Sequence, residues 1–268
     1  MFVTRLISGI VLVIIAAASI VLGGNVMFGV VAAISFIGLF EIYRVFKLEK
    51  TILAILGYLF TAAYYALLYV GGKVYVPELL IGLLICLMTV YVFDYPKYRT
   101  EDLMAGLFGM VYVVFMLSYL YQIRCLPNGA YLTGLVFFCA WGCDTCAYVF
   151  GMLCGKHKMA PVLSPKKSVE GGIGGIFGAA VLGAAYGAVG AHYGLVVSEH
   201  NVALIFAVCC AVGAVISQIG DLSASAIKRN HDIKDYGNLI PGHGGILDRF
   251  DSIIITAPII FTLASWMM

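Results

Sequence analysis

Charge is what this chain has little of. Lys and Arg total 16 and Asp and Glu 14 in 268 residues, so 11% of the sequence is charged while 62% is hydrophobic. Soluble domains carry roughly 45–50% apolar residues, and the excess here, with a mean hydropathy of +1.02, excludes that class. Alternation of apolar and polar residues over about ten positions, the mark of a membrane β-barrel strand, is also missing. Cys143-Asp-Thr-Cys146 has zinc or redox spacing, but no second CxxC completes a set. The other cysteines lie almost all inside apolar runs and read as small packing residues. No internal repeat suggests the two inverted halves of a transporter. A net charge of +2 gives no reason to expect nucleic acid as a partner.

What is present is a series of long apolar runs, at about 6–23, 26–43, 52–70, 77–93, 103–121, 130–150, 172–196, 202–227 and 252–268. Each is close to the ~20 residues an α-helix needs to cross the hydrocarbon core. The expected fold is therefore all-α, a polytopic membrane protein of about nine transmembrane helices. Placing the N-terminus in the cytoplasm puts 14 of the 16 basic residues on the inner side, leaving only Lys73 and Arg124 outside. The first apolar run exceeds the 7–15 residues of a typical signal-peptide core, which argues for a retained helix. Residues 1–125 read as a scaffold, with a role in dimerisation left open. Glu41 there is expected to ion-pair with Arg44, one turn along the helix. Residues 126–268 read as the catalytic part, with cytoplasmic loops 151–171 and 229–251.

That second part holds the charge. The stretch from Ser217 to Asp251 contains Asp221, Lys228, Arg229, Asp232, Lys234, Asp235, His243, Asp248, Arg249 and Asp251. Asp221, Ser225 and Lys228 follow i, i+4, i+7 spacing and form one polar stripe on the eighth helix, with Ser217 and Gln218 extending it. Ser and Gln alone would be helix–helix glue, whereas an acid inside a membrane helix is costly and points to function. Asp144 in the sixth helix is a second such acid. Asp221 precedes Lys228 by seven residues, roughly 10 Å of depth at ~1.5 Å per residue, which is head-group territory. Asp248 brought beside Asp221 would give two carboxylates able to grip Mg²⁺, while Asp251 is equally well read as a helix N-cap. Lys166 and Lys167 precede Gly171-Gly-Ile-Gly-Gly175, a helix start able to receive phosphate or to pack closely against a neighbour. Lys156 and Lys158 need do no more than follow topology. His243, flanked by glycines, is expected to face a ligand.

Ser225-Ala-Ile-Lys-Arg229, then Lys234-Asp-Tyr-Gly237 and Ile240-Pro-Gly-His-Gly-Gly-Ile-Leu-Asp-Arg-Phe-Asp251, resemble the full signature of the phosphatidate cytidylyltransferase (CDP-diacylglycerol synthase) family. The upstream Asp144-x-x-Ala-Tyr-x-x-Gly151, Gly155-Lys156 and Ser164-Pro-Lys-Lys-Ser-x-Glu-Gly171 are similar to that family too, so the resemblance is clear over about residues 140–255. It implies CTP and phosphatidic acid as substrates, CDP-diacylglycerol and pyrophosphate as products, Mg²⁺ with room for K⁺ beside it, and a homodimer in the cell membrane. Under it Asp221 and Asp248 are the principal metal ligands and Asp144 the third ligand or its support. Lys166, Lys167, Lys228, Arg229 and Arg249 hold phosphates, and His243 assists the departing pyrophosphate. Ser225, Lys234, Gly244 and Gly245 complete the substrate-binding set. The lipid is expected to come sideways into a cavity between helices six, eight and nine. A CTP-dependent polyprenol kinase, an archaeal-type CDP-lipid synthase and an ion or phosphate-ester transporter are the competing readings. Acids near the bilayer midplane would favour the transporter.

Overall fold

The computed structural model describes residues 2–198 and 200–267. Among them nine helices are long and apolar enough to cross a membrane. They are α1 (Phe2–Leu22), α2 (Gly24–Val45), α3 (Ile52–Tyr69), α4 (Val76–Phe93), α5 (Thr100–Arg124), α6 (Gly129–Cys154), α7 (Val169–His192), α8 (Val202–Asn230) and α9 (Leu247–Met267). Helix is the expected outcome because the hydrocarbon core offers no water to backbone N–H and C=O groups, which must pair within the segment. At 29 residues, α8 is about 44 Å long and outreaches the ~30 Å core, so one end stands in the head-group region or beyond.

Helix ends follow local chemistry more than hydropathy. Ser168 caps α7 by accepting the Gly171 N–H at 3.1 Å, which starts the helix at Val169, ahead of the apolar run. The same helix stops at His192 because Gly194 turns the chain at φ +66°. The largest shift is in α9. It begins at Leu247, five residues before its apolar run, so Asp251 lies inside the helix and the N-cap reading is corrected. The 151–171 loop contains a small hairpin, β1 (Lys158–Ala160) against antiparallel β2 (Ser164–Ser168).

The glycines of α7 serve packing. A Cβ on Gly175 would come within 3.0 Å of the Cys143 carbonyl on α6, and one on Gly183 within 2.6 Å of the Phe206 carbonyl on α8. Neighbours this near leave no room for a side chain. α8 packs against α7 and α9, while α9 also packs against α5, so one continuous core joins both halves of the chain. In the first half Tyr64 and Tyr65 are buried core residues, whereas Tyr69 is exposed as an interfacial anchor would be.

Candidate active site

The polar stripe on α8 divides along its length. Ser217 and Gln218 are buried, and the Gln218 side chain donates to the Gly172 carbonyl of α7 at 3.0 Å, which is helix glue. Further along, Asp221 pairs with Lys167 of β2, and Lys228 donates to Asp248 Oδ1 at 2.8 Å. The hairpin is therefore what carries Lys167 from the 151–171 loop onto a helix acid. These groups open into a cavity of about 470 Å³ lined by Asp144, Lys166, Lys167, Asp221, Lys228, Asp248, Arg249 and Asp251, with Gly171 and Gly172 at the start of α7. Asp144 of α6, Asp221 of α8 and Asp251 of α9 lie close enough to repel one another electrostatically. Acids from three helices thus converge, with Asp235 also on the wall, a costly arrangement unless cations meet them.

Asp248 differs from the other acids. It is 6% exposed, and besides Lys228 it accepts the Tyr236 and Gly245 N–H groups through Oδ2 at 2.7 and 2.9 Å. It fastens the 236–245 loop to α9 while presenting its edge to the cavity. Gly244, at φ +85°, makes the turn that permits this.

Glu41 corrects the expectation of an ion pair with Arg44. Its carboxylate is buried and accepts the Ile246 and Leu247 N–H groups at 3.0 and 2.9 Å, capping the first turn of α9 from a different helix. Negative charge is favoured at a helix N-terminus, where N–H groups lack partners within the helix. Arg44 instead donates to the Tyr236 carbonyl at 2.5 Å. Together the two α2 residues hold both ends of the 236–247 segment. A single acid buried deep in the first half was the signal. Its partner lay 205 residues away, beyond the reach of local spacing.

His243 and Gly244 line an adjoining polar pocket with Lys234, Arg249 and Arg5 of α1. Burial first, and then the Arg249 and Arg5 charges, hold the His243 imidazole below its ordinary value. Its Nδ1 lies 2.8 Å from Ser8 Oγ, and that hydroxyl also donates to the Pro241 carbonyl at 3.1 Å. Ser225 is half-buried on α8 and Arg229 is exposed near its end, and neither lines the acid-rich cavity or the His243 pocket. Gly245 is buried against Glu41, with its N–H engaged by Asp248. Lys156 and Lys158 lie outside the acid-rich cavity. Glu170 accepts the Lys156 and His157 N–H groups and pins that part of the loop to α7.

For a divalent cation the donor chemistry is right: carboxylate oxygens suit Mg²⁺, which keeps several waters and takes only one or two protein ligands. Among the described residues, no group of three or more His, Cys, Asp or Glu side chains sits closely enough to enclose an ion directly. The set fits an ion held in part through water and substrate oxygens. It does not fit an all-protein cage.

The profile of the Cytidylyltransferase family matches residues 3–267. The chain belongs to that family. A phosphatidate cytidylyltransferase of Synechocystis is 30% identical over 96% of this chain and 94% of its own length. One from Rickettsia bellii is 38% identical over 60% of this chain and 69% of its own, and one from Staphylococcus saprophyticus is 34% identical over 68% and 66%. Within this cytidylyltransferase chain the acid-rich cavity is where charge from three membrane helices and a basic hairpin converges.

Proposed function

We propose that this chain is a phosphatidate cytidylyltransferase, transferring CMP from CTP to phosphatidic acid to give CDP-diacylglycerol and pyrophosphate at a site facing the cytoplasm. The observation that carries the reading is the cavity in which Asp144, Asp221 and Asp251 meet Lys166, Lys167, Lys228 and Arg249. Its acids gather with the basic loops, unlike a transport path through the midplane. A phosphate oxygen of phosphatidate attacks the α-phosphorus of CTP, and the bond from that phosphorus to the bridging oxygen breaks, releasing pyrophosphate. The lipid phosphate has a second pKa near 6, about that of any such monoester, so no strong base is required. What the protein supplies is alignment and charge neutralisation.

Asp221, with Asp144 or Asp251 and with Asp248 on the same wall, would hold Mg²⁺. When bound, the ion would screen the phosphate oxygens and offset the acids. Lys167 and Lys228, each paired with an acid in the structure, then have phosphate oxygens as alternative partners. Lys166 and Arg249 add positive charge on either side. Gly171 and Gly172, at the start of α7, form part of the same wall. His243, neutral near pH 7, can donate a hydrogen bond to the leaving pyrophosphate. The resemblance of the signature also supports a homodimer and a K⁺ ion beside Mg²⁺. The test is pyrophosphate release from CTP by the purified protein, with and without phosphatidic acid and with and without Mg²⁺. Release that requires both is expected, and release indifferent to the lipid would overturn the reading.

A further inference from the structure

α1 is attached to the rest of the molecule mainly at its two ends. Near one end are the Ser8 contacts with Pro241 and His243. At the other, Arg124 Nε donates to the Ile20 carbonyl at 2.7 Å. Between them, Ser8, Gly9, Leu12, Ala16 and Ser19 turn inward, while Ile10, Val11, Ile14 and Ile15 are exposed as lipid-facing residues would be. Behind this helix lies a second cavity, of about 340 Å³, bounded by α1, α6 and α9. Gly9, Leu12, Val13 and Trp141 supply apolar wall, and His243 and Arg249 supply cationic or hydrogen-bonding groups.

This cavity shares Asp144, Asp248, Arg249 and Asp251 with the acid-rich one. A phosphate in either would therefore be next to the contents of the other, the relation that transfer between two bound substrates demands. The lysines are not shared: Lys166, Lys167 and Lys228 line only the first cavity. A triphosphate gains most where those lysines are. An apolar wall beside Arg249 suits an amphiphile with one anionic head and hydrocarbon behind it. The small volume takes the head and the first chain carbons, with the rest of the chains passing beside α1 into the bilayer. Asp144 and Asp251 on the shared wall require a cation between themselves and any phosphate, in keeping with the metal reading above.

We infer that the cavity between α1, α6 and α9 is the phosphatidate site, with Gly9 its specificity-determining residue, so that the lipid comes in past the first helix and meets CTP across the shared acids. This rests on the proposed activity and moves the lipid from the expected cleft between α6, α8 and α9. Gly9 matters because a Cβ built there stands 3.8 Å from His243 Cε1, so any longer side chain projects into the space between α1 and His243.

Two measurements on the full-length protein test it. Gly9→Leu should raise the KM for phosphatidate about ten-fold or more, the scale on which occupying methylene-sized space acts in an apolar site, and leave the KM for CTP unchanged. A rise for CTP alone, or for both substrates equally, overturns the assignment. The second measurement needs no turnover and no cavity variant. With the exposed Trp266 replaced by Phe, Trp141 is the sole indole. Phosphatidic acid brominated near the head end of its chains should then quench its fluorescence more strongly than equally brominated phosphatidylcholine, and saturably. Equal quenching by the two lipids overturns the inference. Turnover of the Trp266→Phe protein tells the two failures apart: activity without selective quenching sinks only the lipid site, whereas absent activity sinks the function beneath it.

Discussion

In residues 1–125 most of the buried polar side chains are hydroxyls that meet neutral partners inside the bundle. Tyr65 and Ser35 are 2.6 Å apart, Tyr64 and Ser118 2.7 Å apart, and Tyr43 donates to the Gly106 carbonyl at 2.8 Å. In residues 126–268 buried Ser, Thr and Gln side chains are accompanied by ion pairs, Lys167 on Asp221 and Lys228 on Asp248, around a cavity. The physical difference is desolvation. A neutral hydrogen bond can be sealed into apolar surroundings for a modest cost, whereas a charge needs an opposite charge, several donors or access to water. The first half is thus built to be closed and the second to be opened by ligands. Glu41 breaks the division, because it belongs to the first half and spends its charge on the first turn of α9.

Asp221→Asn tests the ionic half and should have the largest effect. The amide keeps the shape and deletes the charge, and turnover should fall about 100-fold or more, the usual scale for one preorganised electrostatic contact. If Asp221 and Asp248 serve one ion, the double Asn variant should be little worse than the poorer single one. Multiplicative losses, measured as turnover against Mg²⁺ concentration, would separate the two acids. Asp248→Asn should also lower thermal stability, by about 1–3 kcal/mol, since it weakens three hydrogen bonds to a buried carboxylate.

Glu41→Gln comes next. One of its two oxygens becomes an NH₂ that cannot accept from Ile246 or Leu247, so about 1–3 kcal/mol of stability should be lost. Turnover should fall with the KM for both substrates nearly constant, because the residue acts through the 236–247 segment and touches neither substrate. A melting curve and a kinetic profile matching the unsubstituted protein would return Glu41 to the closed scaffold.

Lys167→Ala should act more mildly, raising the KM for CTP about ten-fold at little cost in folded protein, because a partly exposed ion pair contributes little to stability. Lys166→Ala should have a smaller effect in the same direction, since among the described contacts this exposed lysine pairs with no acid. Unchanged CTP kinetics in both variants would leave the hairpin a topological loop.

These residues also show how far sequence reaches. Hydropathy over windows of about 20 residues gave the nine helices, because the bilayer imposes length and apolarity on every span. Helical spacing placed Asp221 and Lys228 on one face, and the cost of intramembrane charge singled out Asp144. What escaped was set by contacts between distant segments. The start of α9 depends on Glu41, and Asp251 became a cavity acid only because that start moved five residues upstream. The part played by α1 in two pockets was equally hidden, since Arg5, Ser8 and Gly9 look like the unremarkable opening of a hydrophobic helix.

The smallest expected effect tests whether α1 reaches the site electrostatically. The Arg5 charge is one of three causes holding the His243 imidazole below its ordinary value, after burial and Arg249. A nearby cation disfavours the imidazolium, so Arg5→Ala should move the His243 midpoint upward, toward the ordinary value of about 6.5. The linkage follows in sign. A histidine with a depressed folded value binds its proton more weakly folded than unfolded, so stability is lost as pH falls below the unfolded value and through the folded one. The Arg5→Ala protein should lose less over that window. The readout is an NMR titration of histidine-labelled protein in detergent, with the His243 signal assigned by its disappearance in His243→Asn. An unmoved midpoint would mean that α1 touches the His243 loop through Ser8 alone, and the division between a closed first half and an ionic second half would then have Glu41 and Arg44 as its bridge.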